Sequence, residues 1–105
     1  NEADLILVSW GSNRSVAARS AEILEAGGLK TACVNFTELA PLNIPEELKN
    51  AKGRIIGVEN NYTGQFCRLL ENEGVKLAGR VLKYNGLPFT NEELAEEAGK
   101  IYAKS

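Results

Sequence analysis

Two short polar segments carry the residue types with which this chain could do chemistry: SWGSNRS, Ser9 to Ser15, and ENNYTGQ, Glu59 to Gln65. Each follows an apolar run of strand length and opens a helical pattern. Each therefore presents the unpaired backbone amides of a helix start, which suit an anion. The first segment has one glycine where a dinucleotide-binding turn has several at fixed spacing, and it lacks the lysine-hydroxyl pair of a phosphate-binding loop. Ser12, Asn13 and Ser15 read as capping and turn residues, and Arg14 as a solvated or interface charge. In the second segment Asn60, Asn61 and Thr63 can cap a helix, while Gly64 lets another backbone come close, and Tyr62 and Gln65 are expected to point outward. Trp10 is a large ring at the lip of a strand, and it calls for cover by a neighbouring loop or another chain.

Proton transfer and metal binding have little to work with. The chain has no histidine, the side chain whose ordinary pKa best suits general acid–base catalysis near neutrality. Glu59 is the only carboxylate at a strand end in the crevice between the two segments. The paired glutamates Glu46-Glu47, Glu92-Glu93 and Glu96-Glu97 fall near helix starts or on solvated faces. Cys33 and Cys67 are far apart in sequence, with no second cysteine and no histidine beside either, so they read as buried free thiols. We assign no catalytic, cofactor-binding or metal residue. The candidate site is a contact surface formed by Trp10, Gly11, Ser12 and Asn13 with Asn60, Asn61, Tyr62, Thr63, Gly64 and Gln65. A phosphoacceptor domain of similar topology needs clustered acids at its first and third strand ends, and here Ser9 and Trp10 occupy the first.

The elements that must position these segments alternate in type. DLILVSW (Asp4 to Trp10) is a buried strand, and from Asn13 the period changes, with Val16, Ser20, Ile23 and Leu24 on one helical face and Gly27-Gly28 closing the helix. TACVNF (Thr31 to Phe36) is a second strand, followed by a loop and a short helix from Pro45 to about Asn50. RIIGVE (Arg54 to Glu59) is a third strand, and residues 60 to 74 form a helix with Phe66, Leu69 and Leu70 on its apolar side. RVLKY (Arg80 to Tyr84) is a fourth. Thr90 and Glu93 have capping-box spacing ahead of a last helix whose inner face carries Leu94, Ala98, Ile101 and Tyr102. Strands that are apolar on both sides and alternate with helices imply a three-layer α/β/α sandwich around a mainly parallel four-stranded sheet. Right-handed crossovers favour the order 2-1-3-4.

With 105 residues, 44% hydrophobic and 25% charged, the chain has the composition of one globular domain. A net charge of −2 supplies no electrostatic footprint for nucleic acid. No apolar run approaches the roughly 20 residues of a membrane-spanning helix, and there is no secretion signal, so we expect a cytoplasmic protein. The chain opens on Asn1 and contains no methionine. It is expected to be a fragment of a longer subunit, with residues 1–105 forming a single domain.

Three stretches, DLILVSWGSNRS, VNFTELAPLNIPEELKNAKGRIIGVENNYTGQFCRLL and RVLKYNGLPFTNEEL, resemble the last domain of the alpha subunits of 2-oxoacid:ferredoxin oxidoreductases. The likeness runs from about Asp4 to Leu94. VENNYTGQF (Val58 to Phe66) and KYNGLPFT (Lys83 to Thr90) are its most specific parts, since generic α/β packing demands neither. The resemblance implies a fold of the transketolase C-terminal type, in which an additional edge strand normally precedes the first strand seen here. It also implies an enzyme that oxidatively decarboxylates a 2-oxoacid to an acyl-coenzyme A and reduces ferredoxin. Thiamine diphosphate, magnesium and iron–sulfur clusters would be held outside this domain. The implied partners are the rest of the alpha subunit and a thiamine-binding beta subunit, with ferredoxin and coenzyme A serving the whole enzyme. Two other readings stay open: a self-contained flavodoxin-like module holding flavin or nucleotide between Trp10 and Tyr62, or the same domain of another thiamine-dependent enzyme.

Overall fold

Successive residues of the first strand pack into opposite layers, and that alternation organises the fold. In the computed structural model, which describes residues 3–10, 14–36, 44–49, 51, 53–59, 65–82 and 90–104, the strands are β1 (Leu5–Trp10), β2 (Thr31–Phe36), β3 (Arg54–Glu59) and β4 (Gly79–Leu82). The helices are α1 (Arg14–Ala26), α2 (Glu46–Lys49), α3 (Gln65–Asn72) and α4 (Asn91–Lys104). All pairings are parallel, in the order β2-β1-β3-β4. Leu5, Leu7, Ile56, Val58 and Val81 face one layer, where they pack with Ala17 and Ala21 of α1 and Leu94 and Ala98 of α4. Ile6, Val8 and Ile55 face the other, with Phe66 and Leu70 of α3 and Leu48 of α2. This is the three-layer sandwich with the strand order that the sequence implies.

Local signals explain where the helices stop. Gly28 has φ +98°, a left-handed conformation that suits glycine, and its N–H donates to Glu25 O at 3.0 Å while Leu29 N–H donates to Leu24 O at 3.0 Å. That pair of bonds satisfies the last carbonyls of α1. Gly74 ends α3 in the same way, through Gly74 N–H to Glu71 O and Val75 N–H to Leu70 O. At the start of α4 the capping box forms: Glu93 N–H donates to Thr90 Oγ1 at 3.0 Å, and Thr90 N–H donates to Glu93 Oε1 at 3.3 Å.

Packing corrects two expectations. Ile23 is 40% exposed rather than on the inner face of α1. The buried line of that helix is made of small residues, Ala17, Ser20 and Ala21, because α1 lies against α4 as well as the sheet. Ile23 is turned about 100° from neighbouring Leu24 and falls on the flank. Ser20 sits in the seam, its hydroxyl within hydrogen-bonding reach of Val16 O at 2.7 Å and Asn91 O at 2.9 Å. Cys33 is exposed, not buried, whereas Cys67 is buried and free as expected. Cys33 lies on β2, which among the described residues has a strand neighbour, β1, on one side only. Its thiol leans on α1 and donates to Ala17 O at 3.3 Å, and the resulting partial desolvation pushes its pKa up.

Candidate functional site

The carboxyl ends of β1, β2 and β3 bring together polar groups that are buried rather than offered to solvent. Ser9, fully buried, is in register with Asn35 and its hydroxyl donates to Asn35 Oδ1 at 2.7 Å. A residue that would otherwise carry an unsatisfied hydroxyl under the crevice is thereby paired. Asn35 Nδ2 in turn reaches Phe36 O at 3.5 Å. The ring of Phe36 meets that of Phe66 edge-on, with centroids 5.7 Å apart. Trp10, the next residue of β1, is 41% exposed.

Glu59 ends β3 and is 4% exposed. Its Oε2 accepts the N–H of Phe66 at 3.1 Å and its Oε1 the N–H of Cys67, also at 3.1 Å. These amides belong to the first turn of α3, which has no intrahelical acceptors for them. The carboxylate complements the positive end of the helix dipole as well. Chemistry that the sequence left open is thus used internally: two amides of the α3 start already hold an anion, the side chain of Glu59. The neighbouring Cys67 thiol is pushed up to about 12, first by burial and then by the charge of Glu59 and its hydrogen bond to that carboxylate. Such a thiol is not a nucleophile near neutral pH. Helix α3 can sit this low over the sheet because β3 has a glycine beneath it; a Cβ on Gly57 would lie 2.6 Å from Cys67 Sγ.

Of the ten candidate contact residues, Trp10 is described in full and is exposed, and Gln65 is placed as the first residue of α3. Gly11, Ser12, Asn13, Asn60, Asn61, Tyr62, Thr63 and Gly64 lie outside the described residues. The described residues also contain a cleft of about 270 Å³ at the opposite end of the sheet, with Leu48, Ile55 and Val75 in its wall and Glu73 and Lys76 among its lining residues. It brings no catalytic set together. Among the described residues there is no group of three or more His, Cys, Asp or Glu side chains that could hold a metal ion. None of their helices is long and apolar enough to cross a membrane.

Sequence reasoning named Glu59 but missed its work as a helix anchor, and it missed Asn35. A polar residue opposite Ser9 in an otherwise apolar strand was the available signal for Asn35. For Glu59 the partners are backbone amides, which no residue type announces.

Comparison with known proteins gives the lineage. The chain is 32% identical over 106 residues to the 2-oxoacid:ferredoxin oxidoreductase subunit alpha of Saccharolobus solfataricus, across 98% of this chain and 17% of the relative. This chain is a homologue of 2-oxoacid:ferredoxin oxidoreductase alpha subunits. It spans about 17% of the length of that alpha subunit. The 2-oxoglutarate:ferredoxin oxidoreductase of Magnetococcus marinus, solved with 2-oxoglutarate, coenzyme A and succinyl-CoA bound, superposes on 97% of this chain and 18% of its own, with a TM-score of 0.84 and 27% identity. A transketolase from Pichia stipitis shares the fold, with a TM-score of 0.69 and 22% identity over 99% of this chain and 17% of that one. The architecture is therefore that of the transketolase C-terminal domain as the ferredoxin-linked alpha subunits carry it. No family model matches the chain. The self-contained flavin or nucleotide module is not favoured by these relatives.

Proposed function

We propose that this chain is the non-catalytic structural and subunit-contact domain of a 2-oxoacid:ferredoxin oxidoreductase alpha subunit. The observation that carries the proposal is the likeness to the M. marinus enzyme, at a TM-score of 0.84 over 97% of the chain. The chemistry of the crevice supports it. The strand-end carboxylate of Glu59 is bound to backbone amides, the buried Cys67 thiol is held protonated, and the chain has no histidine. In this reading the whole cytoplasmic enzyme converts a 2-oxoacid and coenzyme A to an acyl-coenzyme A and carbon dioxide, reducing ferredoxin. Thiamine diphosphate, magnesium and iron–sulfur clusters belong to its other parts; the described residues contain no ligand set for a metal ion.

The contact surface comprises Trp10 to Asn13 and Asn60 to Gln65, facing the rest of the alpha subunit or the thiamine-binding beta subunit. In the full-length subunit, Tyr62→Ala and Gln65→Ala should lower both the yield of assembled complex and 2-oxoacid-dependent ferredoxin reduction. Unchanged assembly and turnover would remove the contact role. Immunoblotting a denatured extract of the source organism tests the domain assignment separately. A band well above 11.4 kDa is expected; a band at that size would require a detached subunit that co-purifies with thiamine-binding partners.

A further inference from the structure

We draw no further inference here: the strongest candidate, the cleft of about 270 Å³ walled by Leu48, Ile55 and Val75 at the end of the sheet opposite the crevice, is an apolar groove, and nothing in the structure shows what covers it.

Discussion

Gly57→Ala should destabilise the chain through one specific neighbour. The added Cβ would lie 2.6 Å from Cys67 Sγ and 3.4 Å from Leu77 Cδ1. The first contact is about 1 Å inside the roughly 3.5–4.0 Å at which non-bonded carbon atoms rest. Cys67 is fully buried and its thiol is hydrogen-bonded to Glu59, so rotating the sulfur away gives up that bond, and lifting α3 strains its anchor at Phe66. Overpacking of this kind costs about 1–3 kcal/mol. The lower backbone entropy of alanine in the unfolded chain offsets roughly 0.4–1 kcal/mol, leaving a net loss of about 1–2 kcal/mol. Urea unfolding of the wild type, Gly57→Ala, Cys67→Ala and the double variant forms a thermodynamic cycle. Removal of the sulfur should relieve the clash, so the double variant should be more stable than the two single losses add up to, by about 1 kcal/mol. Additive losses would refute the reasoning, since the methyl would then be straining something other than Cys67.

The same thiol should leave a mark on the alkaline side of the stability profile. Its pKa rises from 9.0 to about 12 on folding, so the native state retains a proton that the unfolded chain has lost. Stability from this source is complete below pH 9 and declines towards pH 12 by about 1.4 kcal/mol per pH unit. Comparing unfolding of the wild type and Cys67→Ala across that range should show the wild type losing stability more steeply. Thr90→Ala removes the hydroxyl that caps α4. It should cost about 1 kcal/mol, or a fall in Tm of roughly 4–8 °C by calorimetry.

The framework was legible because its residues are unambiguous. TACVNF and RIIGVE are bounded by turn residues and became β2 and β3 at the expected limits. The capping box at Thr90 and the glycine stop at Gly28 each depend on neighbours only a few positions away. What escaped depends on distant partners. Ile23 is exposed because α4 claims the adjacent face of α1, and Cys33 because β2, among the described residues, has β1 on one side only. At the carboxyl ends of the strands, where the candidate contact residues were expected, the pairing of the buried polar groups was not legible. Ser9 needed its register against Asn35, and Glu59 needed the amides of Phe66 and Cys67, before either could be seen to be spoken for.

The seam between α1 and α4 bears on synthesis as well as on stability. The hydroxyl of Ser20 bridges towards Asn91 O, and Leu94 and Ala98 cover the same layer as Leu5, Leu7, Ile56 and Val58. On a translating ribosome that side of the sheet lacks the cover of α4 until residues 91–104 have cleared the exit tunnel. The aliphatic floor of Leu5, Leu7, Ile56 and Val58 is thus completed only after β3 has been made and stays partly uncovered until α4 docks.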